Sequence, residues 1–160
     1  MPDIDTDPLL WIVTGVSLTA ELGDRPLAYR IEEEVRQRLR TRLPAVAPGQ
    51  SPRLSPVVVS DVFFLNNEEL QSRPAISVGG PGVNMLSGTL VERLPTVLAV
   101  DNVLVVQMDP EFEHLQASVW GMTHVDTVRA IDLFVTKYLD AYLDGIVEHG
   151  LADDDSDDDE

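Results

Sequence analysis

The chain has 160 residues, no cysteine, and 28 acidic against 11 basic side chains, for a net charge of −17. Its length and 44% apolar content suit one domain with a substantial core, and the missing cysteines exclude disulfides and thiolate metal sites. A field of this sign repels DNA, RNA and anionic lipid, so neither nucleic acid nor membrane is an expected partner.

Residues 1–8 are acidic and proline-bounded and read as a loose arm. They lack the basic start and apolar run of a signal peptide, and no window approaches the roughly eighteen apolar residues of a membrane span, so the expected location is cytoplasmic. A single α/β domain is expected over 9–150. Asp153–Glu160 holds seven of the acids and nothing to bury, so 151–160 reads as a disordered acidic tail.

Leu9–Leu18 is an apolar, β-rich run and reads as the first strand, with Gly15 marking a bulge or a close backbone approach. A helix follows from Gly23-Asp24-Arg25-Pro26, with Asp24 as N-cap. Leu27, Ile31, Val35, Leu39 and Leu43 recur every fourth residue, one stripe of a helix lying on a sheet. Six arginines crowd into Arg25–Arg42 and read as a solvated face balancing Glu32, Glu33 and Glu34. Ala45–Pro56 is a connector. Val57–Leu65 reads as the second strand, with Asp61 expected at a sheet edge or facing solvent, and Asn66–Ser72 as one helical turn.

Ala75–Val78 is a short buried strand, Gly79-Gly80-Pro81-Gly82 a tight turn, and Val83–Leu94 a helix closed by Pro95. Thr96–Val100 and Val103–Met108 are strands split by Asp101-Asn102, a hairpin or a kink. Leu115–Trp120 alternates and reads as a half-buried strand antiparallel to Val103–Met108. A final helix, about 125–147, has an apolar face wider than one sheet covers, which suggests burial on two sides, one of them a protein partner or a second copy in a homo-oligomer. Helices alternating with strands predict a three-layer α/β domain with a mostly parallel sheet, an antiparallel hairpin and a long C-terminal helix.

In such sheets ligands sit beyond the carboxyl ends of strands. Two strand–turn–helix segments could supply that site: Gly79, Gly80, Gly82 and Asn84 in the first, Gly121, Thr123, His124 and Thr127 in the second. Glycine turns let a ligand approach, and helix starts point unpaired N–H groups at it. Neither turn is a P-loop, and position 85 is methionine where the dinucleotide fingerprint needs its third glycine. In the second turn Thr123 and Asp126 also fit a capping-box variant. A Ser17/His124/Asp24 or Asp61 triad has no Gly-x-Ser-x-Gly elbow to present it. His114, Asp109 and Glu113 have no metal-ligand spacing. No metal or cofactor is expected.

Gly-Gly-Pro-x-x-Asn at Gly79–Asn84, paired with Gly121, Asp126, Thr127 and Ala130 after a later strand, resembles α/β domains related to archaeal S-layer proteins over about Ala75–Phe134. The resemblance implies a Rossmann-like fold of a kind also found in prokaryotic proteins of unknown role. Three functional readings follow. The leading one is a non-catalytic binding or assembly module with a small polar ligand above the two turns. The second is a small hydrolase or transferase on a nucleotide- or sugar-like substrate, with His124 and Asp126 or Asp24 as acid/base groups. The third is a purely structural partner subunit.

Overall fold

Alternating apolar runs and amphipathic stripes resolve into β1 (Leu9–Thr14), α1 (Arg25–Arg42), β2 (Ser55–Ser60), α2 (Asp61–Asn66), β3 (Ala75–Val78), α3 (Met85–Leu90), β4 (Thr96–Val100), β5 (Leu104–Met108), β6 (Gln116–Gly121), α4 (His124–Lys137) and α5 (Leu139–Gly145) in a computed structural model. The structure describes residues 9–45, 47–49 and 53–150, so the arm at 1–8, the tail at 151–160 and parts of the connector lie outside the described residues. The six strands form one sheet in the order β2-β1-β3-β6-β5-β4. β2, β1, β3 and β6 run parallel, and β5 is antiparallel to both of its neighbours.

The two faces carry separate cores. Leu10 and Ile12 of β1 face α1, α4 and α5 together with Ile76, Val119, Ile131 and Phe134, whereas Trp11 and Val13 face Phe64, Leu86 and Leu90 on the side of α2 and α3. Successive strand residues point to opposite faces, so a strand apolar on both sides needs cover on both. The expected three layers follow. Asp101 and Asn102 both take positive φ (51° and 56°), and the Val103 N–H donates to the Val100 carbonyl. This is the tight turn that suits a two-residue β-hairpin.

Several boundaries differ from the sequence expectation, among them the helix expected over Val83–Leu94, which is the shorter α3, Met85–Leu90, capped by Asn84. The first strand stops at Thr14, and helical structure begins near Leu18, where Ser17 Oγ accepts from the Ala20 N–H at 3.2 Å. Asp24 is therefore no N-cap. It lies in a π-helical turn, Ala20–Asp24, that runs into α1, and its side chain caps nothing. Pro26 lacks the N–H that an α-helix would direct at the Leu22 carbonyl, and the wider turn ahead of it absorbs the misfit.

The second strand ends at Ser60, whose hydroxyl accepts from the Phe63 N–H and starts α2. Asp61 is neither edge nor solvent-facing. It is buried, its Oδ1 accepting from the Val62 N–H and its Oδ2 from the Met85 N–H at 2.8 Å, so a carboxylate inside an apolar run ties the start of α2 to the start of α3. β6 is buried along its first four residues rather than half-buried, because helices cover both of its faces.

The final helix is two helices. Tyr138 leaves helical geometry (φ −124°) between α4 and α5. Burial on two sides holds, but this chain supplies both: the sheet on one and α1 on the other. Ile131, Phe134, Leu139, Tyr142 and Leu143 are all buried in this way, each contributing about 1.5–3 kcal/mol by removal from water. Arg30–Asp132, Arg38–Asp140 and Arg42–Asp144 join α1 to α4 and α5 at one constant sequence offset of 102. The arginine face is thus partly a seam between helices, alongside the expected pairs Arg36–Glu32 and Arg38–Glu34 within α1. Among the described residues no helix is long and apolar enough to cross a membrane.

Candidate ligand site at the carboxyl edge of the sheet

β1 connects to β2 on one side of itself, and β3 lies on its other side, so the chain diverges above the carboxyl ends of β1 and β3. Such a divergence leaves a crevice between the loops. A cavity of about 620 Å³ opens there, within the size range of small-molecule sites, about 300–1,000 Å³. The π-helical turn after β1 and the turns after β3 and β6 build its walls.

Both glycine turns reach this cavity. Gly80 and Gly82 line it from the first, and Gly121, Thr123, His124 and Thr127 from the second. Gly79 and Asn84 lie beneath it. Asn84 is 1% exposed and fully engaged: its Oδ1 accepts from the Leu86 and Ser87 N–H groups, and its Nδ2 donates to the Val13 and Val78 carbonyls. It caps α3 and pins that helix to β1 and β3, so its amide has nothing left for a ligand. Asp126 faces away, accepting from the Thr123 hydroxyl at 2.8 Å and pairing with Arg129.

The second turn is set by close approach. A Cβ on Gly121 would lie 2.3 Å from the Asp126 carbonyl carbon and 2.4 Å from the Thr127 nitrogen, so only glycine lets β6 end against the first turn of α4. Thr127 Oγ1 accepts from the Gly121 N–H at 3.1 Å, and Thr123 Oγ1 accepts from the Asp126 N–H, capping α4.

Asp24 is the carboxylate of the lining. It is 7% exposed and lines the cavity, yet its carboxylate accepts no hydrogen bond among the described residues. Burial pushes its carboxyl above the usual carboxylate range, and the charge of nearby His124 opposes that shift without a hydrogen bond joining the two. His124 is held against the π-helical turn, its Nδ1 3.0 Å from where a Cβ on Gly23 would lie. No lining residue is lysine or arginine, and the nearest arginine in sequence, Arg25, is engaged with Glu21 and Tyr29. Leu22, Pro81, Val83, Trp120 and Met122 make most of the remaining wall apolar.

The mouth is apolar as well. Of the ten large apolar side chains exposed among the described residues, eight follow the carboxyl ends of β1, β2, β3 and β6, including Val16, Leu18, Leu22, Met122 and Val125, each more than half exposed. Concentration at one edge separates them from the scattered exposed apolar residues of any surface.

From the sequence Asp24 reads as a cap, a triad member and an alternative acid, and the π-helical turn, Trp120 and Met122 are not among the expected site residues. Pro26 inside an otherwise periodic run was the available signal of an irregular turn. The suggested triad is not assembled: Ser17 is spent on the Ala20 N–H and does not line the cavity, and Asp61 is spent on α2 and α3. Asp109 accepts from the Glu111, Glu113 and His114 N–H groups, and among the described residues no three metal-ligating side chains converge. No protein-family model matches the chain, and no curated protein matches it.

Proposed function

We propose that the chain is a cytoplasmic, non-catalytic binding module that holds a small ligand above the carboxyl ends of β1, β3 and β6. One observation carries this reading: the Asp24 carboxylate lines an open cavity and accepts no hydrogen bond among the described residues. Burial raises the Asp24 carboxyl above its usual range, and a perturbed acid in a cleft marks a candidate binding site. The absence of lysine and arginine from the lining argues against a nucleotide phosphate. The motifs resembling S-layer-related domains follow β3 and β6, neighbouring parallel strands, and support a Rossmann-like scaffold.

The test is a thermal-shift screen of uncharged, cationic and anionic metabolites on the full chain and on Asp24→Asn. A true ligand at a hundredfold excess over its Kd stabilises the parent by about 2.7 kcal/mol and the variant far less. A screen in which ligands raise both proteins equally removes Asp24 from the site.

A second reading, a small hydrolase or transferase, draws on the fact that His124 and Asp24 line one cavity. Turnover separates the two: an enzyme converts a metabolite of the screen and loses that turnover in His124→Ala, whereas a binder shifts its melting temperature with no product formed.

A further inference from the structure

Resting on the ligand site just proposed, the chemistry of its lining narrows what can occupy it. The Asp24 carboxylate lines the cavity and accepts no hydrogen bond among the described residues, so its oxygen atoms are free to take a donor from a ligand, and a cationic donor also compensates the charge. Of the lining residues only His124 acts on Asp24 by its charge, without a hydrogen bond to it; among the described residues no lysine or arginine lines the cavity, and six arginines sit along α1, whose Arg30, Arg38 and Arg42 are tied to α4 and α5. Trp120, the ring type that attracts cations best, lines the same cavity. Leu22 and Met122 extend from the wall to the exposed collar, so an apolar body can follow the charged end out of the cavity. A chain of net charge −17 also draws cations toward it and turns anions away.

We infer that the Asp24 cavity binds a primary ammonium carried on an apolar body, with the ammonium donating to Asp24 and the apolar part lying along Leu22, Trp120 and Met122. Either a free amine or a lysine side chain between apolar residues presents that chemistry.

The experiment follows Trp120 fluorescence on the full chain, with Trp120→Phe as the signal control. The probes are n-hexylammonium and phenethylammonium for the free amine and N-acetyl-Leu-Lys-Leu-amide for the lysine, with 1-hexanol and hexanoate as matched controls of chain length. The expected result is that one ammonium-bearing arm binds at least about tenfold more tightly than 1-hexanol, that hexanoate does not bind, and that Asp24→Asn removes the tenfold advantage. The arm that binds identifies the source. Equal affinity for hexanol and hexylammonium, or an advantage that survives Asp24→Asn, overturns the inference while leaving a ligand site in place. Failure of all three ammonium probes overturns it too. The ligand-site reading then depends on the metabolite screen alone, so the two fail separately.

Discussion

Asp24 Oδ2 stands 2.6 Å from the point where a Cβ on Gly79 would lie, and Gly79 itself has φ +105°. The bare backbone after β3 is what leaves room for the carboxylate in the cavity wall. Gly79→Ala meets both a steric block and a backbone angle that residues with a side chain avoid. A loss of about 1–3 kcal/mol is expected, together with weaker ammonium binding. Urea denaturation and the fluorescence titration check the two parts separately, and an unchanged affinity in a folded Gly79→Ala protein contradicts the link between them.

The burial of Asp24 has a pH signature. Its carboxyl is raised above the reference value of 3.8 chiefly by burial, with His124 opposing. The folded state therefore holds that proton more tightly than the unfolded state. The stability this contributes is fully present below the unfolded value and is lost as pH rises through the folded one. Asp24→Asn should melt above the unliganded parent at pH 7, with the gap closing as the pH falls toward 4. A variant that melts lower across the whole range means the carboxylate stabilises the fold.

Asp109 behaves in the opposite sense. Partial burial raises its carboxyl, but the N–H groups of Glu111, His114 and Glu113, with the charge of His114, outweigh this and hold it below the reference value of 3.8. Its contribution is present above the unfolded value and is lost as pH falls through the folded one. Asp109→Asn should cost about 2 kcal/mol at pH 7, the scale of hydrogen bonds to a charged acceptor. That cost should shrink in acid, the reverse of the Asp24 profile. Chemical denaturation at pH 7 and at pH 3 measures the difference.

At the second turn Gly121→Ala forces a methyl group into the Asp126–Thr127 backbone. It should destabilise by about 2 kcal/mol, the overpacking range. Thr127→Val, which only removes the hydroxyl hydrogen bonds to Gly121 and Thr123, should cost about 1 kcal/mol. A Gly121→Ala protein as stable as its parent shows that α4 can shift at no cost.

The seam between α1 and α5 is electrostatic and exposed on its acidic side. Arg42 pairs with Asp140 at 2.9 Å and with Asp144 at 2.6 Å, while both carboxylates are more than half exposed. Arg42→Ala should cost no more than about 1 kcal/mol, and most of that should vanish in 1 M salt, where the screening length is about 3 Å. Melting curves at low and high salt suffice.

Much of the architecture was legible in the chain. The stripe Leu27–Leu43, the apolar strands, the glycine turn after Val78 and the pair Asp101-Asn102 each carry a local signal, because helix, strand and turn have distinct periods and backbone demands. Boundaries failed where a distant partner decided them. Asp61 begins a helix because the Met85 N–H, twenty-four residues away, is there to be accepted. The final helix is covered on a second side by α1, which lies along it.

By itself the sequence determined an acidic α/β chain with two glycine turns after strands, each opening a helix. These are consequences of local pattern and composition. Only the tertiary structure decided that both turns meet above β1, β3 and β6, that Asn84 is used up as a cap, and that Asp24 lines the cavity with no hydrogen bond to its carboxylate among the described residues. Strand order and side-chain satisfaction depend on contacts between residues far apart in the chain. No local period encodes which buried polar group finds a partner and which one does not.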